Sequence, residues 1–508
     1  MAQFSAEDIE QINARGLSEK QAERQLELLR KTVSFVTIDR PATVGDGIVN
    51  LSHENLKSYL DLHNQAEHDG RLIKFVPASG AGTRMFADLI AFHNEPSSAN
   101  AERVKPILDS IASFPFYDDL KTLCFRLHKD PGEMIRSGNY TELLDLLLYE
   151  RGLNYANLPK ALMKFHRYKD RSRTALEEQL IEAKAYLEDR HGIVRLHITV
   201  SPEHKEAVEE RLAHVKRDLA EELLTKFEVT VTVQKSSTDT VALDNENKPL
   251  RDGNGKLVFR PGGHGALLEN LNDLKGDIVF VKNIDNICCD RYKYDTILYK
   301  KVLCGYLVSL EKEVFEYLKA LKQGKTDENF INEAVTFLKE KLSVQMPSEF
   351  SKKSAGEKSC MLFAKFNRPL RVPGMVKNES EPGGAPFWIS EADGGVSLQI
   401  IESPEVNPKD EDQQAKFRAS THFNPVDLVC AVRDFQGNPF DLTKYRNSEA
   451  VFVAEKSRNG KKVKQLELPG LWNGGMARWN TVCVEVPIST FNPVKTVGDF
   501  LRKPHQCA

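Results

Sequence analysis

Residues 75–86 read FVPASGAGTRMF: the end of an apolar run, a Gly-x-Gly turn, then Thr-Arg. The run RLIKFVPA (71–78) is bounded by turn residues and reads as a buried strand. A turn whose backbone must touch a phosphate needs glycine, because a Cβ would stand in the way. In open α/β sheets ligands bind at the carboxyl ends of strands, which is where SGAGTR falls. Backbone N–H groups of such a turn can hold an anion, and Arg84 adds charge to it. No Gly-Lys-Ser/Thr follows, so this is not a Walker A loop, and the third glycine of the dinucleotide fingerprint is missing. Alone, the stretch serves either as a phosphate cradle or as an ordinary connecting turn.

Downstream, the pattern alternates. TALEEQLIEAKAYLEDRHG (174–192) reads as a helix and IVRLHITVS (193–201) as a strand. PEHKEAVEERLAHVKRDLAEELL (202–224) reads as a helix with Pro202 in its first turn, and FEVTVTVQ (227–234) as a strand of period two. DIVFVKNID (277–285) is a further buried strand, and 296–324 a long helical stretch. Strands alternating with long helices imply βαβ units and a mainly parallel sheet. Upstream, residues 1–68 read as a helical extension, with a capping box at Ser18 and Gln21. Residues 87–157 read as a helical insertion, with Gly152 as the C-cap of TELLDLLLYERG. The expected fold is therefore α/β: a Rossmann-like core with a mixed, mainly parallel sheet over 69–345. A mixed α+β lobe over 346–508 follows, where Gly, Pro and Asn become frequent. VPGMVKNESEPGGAPFW (372–388) and ELPGLWNGGMARWN (467–480) suggest ordered loops, with Trp388, Trp472 and Trp479 as packing residues or sugar platforms.

The bulk composition is that of a globular protein. Of 508 residues, 41% are hydrophobic and 28% charged, enough for a large core, and the net charge of −3 gives no basic excess for nucleic acid or an anionic membrane. The start is polar and acidic rather than signal-like, and no apolar run approaches the roughly 20 residues of a spanning helix. A cytoplasmic location is expected. The eight cysteines are irregularly spaced, which predicts reduced, buried thiols and no zinc pattern.

Three further stretches can carry chemistry. In NLPKALMKFHRY (157–168), Lys160 follows a proline and could clamp a phosphate from a stiff backbone, or simply sit in solvent. In FRPGGHGALLENL (259–271), glycines flank His264 before a helix begins. In IVFVKNIDNI (278–287), a buried strand ends in Asn-Ile-Asp-Asn. Asp285 there suits Mg²⁺, which takes one or two carboxylates plus substrate phosphates, and it suits a helix N-cap equally. One reaction needs all of these parts. Transfer of a nucleotidyl group requires a backbone cradle, cations for a triphosphate, a metal on a carboxylate and a base pocket.

PASGAGTR, LPKAL, PGGHG and KNIDN, in this order, resemble the signature of the UDP-sugar pyrophosphorylases. That family includes the UDP-glucose and UDP-N-acetylglucosamine pyrophosphorylases, and the resemblance covers roughly residues 70–430. VTVQK, LQIIESPEV and STHFNP are similar to further segments of the family, and the whole chain resembles a bacterial family of unknown function in the same clan. The resemblance implies a Mg²⁺-dependent nucleotidyltransferase joining UTP and a sugar 1-phosphate into a UDP-sugar, with release of pyrophosphate. It implies that Ser79, Gly80, Ala81, Gly82 and Thr83 lie against the nucleotide, and that Arg84 and Lys160 neutralise the phosphates. Gln234, Gly263, His264 and Gly265 would meet uracil. Asp285 would hold the metal, and Asn283, Glu402, Lys377 and His422 would face the sugar phosphate. His422 can equally satisfy a buried hydrogen bond. The competing readings are a non-catalytic sugar-nucleotide binder and a glycosyltransferase using a UDP-sugar on the same core.

Overall fold

The alternation of strands and long helices folds as its spacing requires in a computed structural model, which describes residues 4–31, 35–379, 383–391, 394–458 and 461–507. The chain forms two units, each assembled from three segments. Unit A is Glu67–Val233, Val281–Lys301 and Pro487–Ala508; unit B is Met1–Ala66, Gln234–Phe280 and Val302–Val486.

In unit A the strands Leu72–Pro77, Ile193–Val200 and Lys226–Val233 lie side by side and parallel, with Phe75 opposite His197 and Val194 opposite Phe227. Parallel neighbours need crossover connections. The helix Ala175–Leu187, capped reciprocally by Thr174 and Glu177, precedes the middle strand, and Lys205–Leu223 follows it. Between the first strand and these elements lie five helices from Ala87–Asn94 to Tyr140–Leu148, the expected helical insertion. The rings of Phe114 and Phe116 stack within it at 5.3 Å, and Phe500 packs edge-on against both.

Two expectations are corrected in this unit. Gly152 is not a C-cap. The helix ends at Leu148, and the chain doubles back so tightly that a Cβ on Gly152 would lie 1.9 Å from the Leu146 carbonyl oxygen. The glycine is required by close approach, not by a left-handed cap. The thiols are not all reduced either: Cys289 and Cys507 form a disulfide, whereas Cys124, Cys288, Cys304, Cys360, Cys430 and Cys483 are free.

In unit B the helix Glu19–Arg30 starts at the expected Ser18–Gln21 capping box, both bonds of which form. Its apolar face (Ala22, Leu26, Leu29) packs with Val241, Leu243 and Leu466. The strand Leu370–Lys377 runs parallel to Cys483–Glu485 and antiparallel to Asp427–Ala431, and Cys483–Glu485 is parallel to Gly47–Val49. A separate antiparallel sheet joins Ile38–Pro41, Ala385–Ser390 and Val396–Ile401. Much of the stretch expected as ordered loops over 372–388 is therefore strand; its residues 380–382 lie outside the described residues. Trp388, Trp472 and Trp479 are all buried. No described helix is long and apolar enough to cross a membrane.

Candidate active site

Each unit gathers part of the expected site. In unit A the Gly-x-Gly turn and the Pro-Lys segment are joined across the whole insertion. The Lys160 N–H donates to the Gly80 carbonyl at 3.0 Å, the Gly82 N–H donates to Leu158 at 2.9 Å, and Ala81 bridges Pro159 antiparallel. The two glycines differ. A Cβ on Gly82 would lie 2.2 Å from the Tyr155 carbonyl oxygen, so this glycine makes room for the protein's own chain. A Cβ on Gly80 would meet nothing within 4 Å. Gly80 is exposed, and open space lies where a ligand backbone or phosphate could approach. Ser79 and Thr83 are engaged locally: Ser201 Oγ donates to the Ser79 carbonyl at 2.9 Å, and Thr83 Oγ1 donates to Ala156 at 3.0 Å. Arg84 is exposed beside them.

Lys160 turns inward from a short 3₁₀ turn and is 9% exposed. Its ammonium donates to Asp285 Oδ2 at 2.7 Å and to the Val494 carbonyl at 2.8 Å. Lys495, which the sequence reading missed, reaches the same carboxylate from the C-terminal segment, 3.1 Å from Oδ2 and 3.3 Å from Oδ1. Burial raises the Asp285 carboxyl, but Lys495 and Lys160 beside it more than offset this and hold it below the ordinary aspartate range. The loop is fixed from several sides. Val494 N–H donates to the Asp285 carbonyl at 3.0 Å, and Ile284 N–H to Pro77 at 3.2 Å. The Gln179 amide donates to the carbonyls of Asn283 and Ile284 at 2.9 and 3.1 Å. Asn283 and Asp285 therefore stand on a loop whose three carbonyls, at 283, 284 and 285, each accept a hydrogen bond. The signal for Lys495 was present in FNPVK (491–495), where a proline again stiffens the approach to a lysine.

In unit B the glycine turn around His264 packs against the chain itself. Cβ atoms on Gly262 and Gly265 would lie 2.4 Å from the Thr238 carbonyl oxygen and 2.2 Å from that of Pro469. Gly263 adopts φ 72°, which side-chain-bearing residues rarely take. The His264 ring stacks on Trp472 at 4.2 Å, and its Nδ1 accepts the Leu471 N–H at 3.2 Å. Burial lowers the His264 pKa against the opposing pull of Glu402 and Glu467, which keeps the imidazole neutral. Trp472 Nε1 donates to Glu402 at 3.1 Å, so His264, Trp472 and Glu402 form one row.

Behind this row Glu405 is buried, accepting from the Glu402 N–H at 2.8 Å and from Asn473 Nδ2 at 3.0 Å. Burial pushes its carboxyl up to about 8. This network was not visible in the sequence, where Glu405 and Asn473 resemble ordinary loop residues. Lys377 and His422 are cross-strand partners in register. Lys377 is exposed, and His422 Nε2 lies 3.3 Å from Glu485 Oε1 in a part-buried contact. Gln234 follows the strand Lys226–Val233 and is half-buried.

Several solved structures resemble this chain, at low identity. A mutant UDP-glucose pyrophosphorylase from Leishmania major is 12% identical, with TM-score 0.44, covering 98% of this chain and 79% of that one. The uridine diphosphate N-acetylglucosamine pyrophosphorylase of Trypanosoma brucei, in complex with an inhibitor, is 11% identical, with TM-score 0.49 and the same coverage. The UDP-glucose phosphorylase of Trypanosoma brucei is 13% identical, with TM-score 0.42, covering 97% and 77%. No curated protein matches the sequence. Residues 5–506 match the family described as domain of unknown function DUF4301, and the chain belongs to that family.

Proposed function

We propose that this protein is a nucleotidyltransferase that joins UTP and a sugar 1-phosphate into a UDP-sugar, releasing pyrophosphate. The observation that carries the reading is the convergence of Lys160 and Lys495 on Asp285, on segments tied to the open Gly80 turn. Two ammonium groups fixed on one carboxylate form a charge cluster poised for exchange: an entering triphosphate offers oxygens that outnumber those of Asp285. Lys160 is shielded from water, so its attraction for phosphate is stronger than at an exposed site. Arg84 and the N–H groups around Gly80 add donors at the rim. The resemblance of PASGAGTR, LPKAL, PGGHG and KNIDN to the UDP-sugar pyrophosphorylases supplies the choice of substrates.

The sugar phosphate oxygen would attack the α-phosphorus in line as the bond to pyrophosphate breaks. No protein nucleophile is needed. Lys160 and Lys495 would hold the phosphate oxygens and stabilise the charge that develops on the transferring and leaving groups. The Asp285 carboxylate offers Mg²⁺ hard oxygen donors once Lys495, which donates to Oδ1 at 3.3 Å, turns to phosphate, and substrate phosphates would complete the shell. Bound there, Mg²⁺ would neutralise phosphate charge and orient the triphosphate.

A pyrophosphate-release screen across nucleoside triphosphates and sugar 1-phosphates tests the reading. It expects release only when both substrates are present, strongest with UTP. Release from no pair, with a folded protein, would reject it.

A further inference from the structure

A second cluster in unit A is built of metal-ligating side chains. The ligand atoms of His166, Cys289 and Cys507 all lie within 4.8 Å of one another. His166 and Cys289 are buried, and Cys507 is half-buried, which leaves one side open to entry. The His166 ring is oriented as a metal-bound imidazole would be: Nδ1 lies 2.9 Å from Glu178 Oε1. Glu178 Oε2 accepts from the Lys293 ammonium at 2.5 Å. A carboxylate on Nδ1 with Nε2 as the coordinating nitrogen is the arrangement that carboxylate–histidine–zinc sites use. That Nε2 lies 3.0 Å from His505 Nδ1. His505 is itself buried.

We propose that Cys289, Cys507 and His166 form a redox-gated Zn²⁺ site, closed as a disulfide when oxidised and able to bind one Zn²⁺ when reduced. Two thiolates and an imidazole are a donor set that zinc prefers, at Zn–S of about 2.3 Å and Zn–N of about 2.0 Å. Water or His505 takes the fourth position. The exchange balances. A low-molecular-weight dithiol gives two electrons and two protons to the Cys289–Cys507 bond, yielding two thiols and the oxidised dithiol. Zn²⁺ then displaces the two thiol protons. Disulfide and metal exclude each other, because both use the same two sulfurs.

The placement has a consequence for unit A. His166 lies on the strand that follows Lys160, Cys289 follows the Asp285 loop, and Cys507 lies on the segment that carries Lys495. The disulfide ties the Cys289 and Cys507 segments to each other, and zinc would add the His166 strand to them. The metal site rests on its donor set and not on the proposed transfer reaction.

The test is zinc stoichiometry on the full chain carrying Cys360→Ser, which removes the exposed free thiol. Protein reduced with a dithiol, then freed of reductant, is expected to retain about one equivalent of Zn²⁺ against a mild chelator. Protein oxidised with diamide, and reduced protein carrying Cys507→Ser, are expected to retain at least about tenfold less. Cobalt substituted into the reduced protein should show a thiolate-to-metal charge-transfer band that Cys507→Ser removes. His166→Gln should weaken retention while the disulfide still forms on oxidation, which distinguishes a ligand from a residue needed for folding. Reduced protein that retains no Zn²⁺, or Cys507→Ser protein that retains as much as its parent, would overturn the proposal.

Discussion

The clusters in units A and B hold their polar groups in opposite ways. Around Asp285, unit A assembles full charges: one carboxylate, two ammonium groups and an exposed arginine on the adjoining turn. Around His264, unit B sets an imidazole kept uncharged and an indole beside the Glu402 carboxylate, and behind them a carboxyl whose proton is held up to about 8. The first arrangement suits phosphate, whose charge needs counter-charge. The second suits a planar or hydroxyl-bearing group read by stacking and directed hydrogen bonds. The glycines do not divide in this way: Gly80 faces open space, whereas Gly82 in unit A, like Gly262 and Gly265 in unit B, makes room for the chain's own carbonyls.

Substitutions can break this contrast. Lys160→Met should produce the largest loss, at least about 100-fold in turnover, because it removes a shielded cation from the charge that develops on phosphate. It should also lower Tm, since one partner of a buried pair is left behind. A variant with undiminished turnover would remove unit A from the chemistry.

The glycines give a paired experiment. Gly82→Ala should destabilise the fold by several kcal/mol, its Cβ forced against Tyr155. Gly80→Ala should leave Tm unchanged and raise KM for the triphosphate. Equal effects of the two on Tm would show that the turn is structural throughout.

Lys495→Met should act more mildly, lowering turnover about tenfold with little change in Tm, because its side chain is 54% exposed. Steady-state kinetics beside a thermal melt would read both.

The smallest effect is a pH slope. The Glu405 carboxyl has a folded pKa raised from the ordinary glutamate value to about 8. Through that window the folded state binds more protons than the unfolded one, so this group's contribution to stability falls as pH rises. In unit A, Lys74 is fully buried beside Glu182 at 3.0 Å, and burial, then the neighbouring lysines, bring it down to about 7. Between about 7 and the ordinary lysine value the folded state binds fewer protons, so this contribution rises with pH. Glu405→Gln should therefore gain stability over the parent as pH climbs toward 8, by at most about 1.4 kcal/mol per unit. Denaturant titrations at several pH values would show it. An unchanged difference across the window would mean that Glu405 is ionised throughout.

What the sequence disclosed and what it hid follow from the range of the signals. Strand, turn and cap are local, so the Leu72–Pro77 strand, the Ser18–Gln21 box and the helical insertion could be read from spacing. Lys160 stood out because a proline fixes its approach, but its contacts with Gly80 and Asp285 lie across a whole insertion and could not be read. Lys495 was missed although FNPVK carries the same kind of signal, because nothing local says which carboxylate it meets. The Cys289–Cys507 bond spans 218 residues and leaves no periodic trace. The Glu405–Asn473 pair escaped because burial of a polar side chain depends on what the rest of the chain packs over it. Gly152 was misread because a C-cap glycine and a close-approach glycine look alike in one dimension.

The most direct test of the central claim is isotope exchange. Wild-type protein incubated with radiolabelled pyrophosphate, Mg²⁺ and either UDP-glucose or UDP-N-acetylglucosamine is predicted to move label into UTP. Lys160→Met and Asp285→Asn proteins are predicted to move at least about 100-fold less. Label that never enters UTP, or enters it equally with both variants, would contradict the assignment of nucleotidyl transfer to Lys160, Asp285 and Lys495.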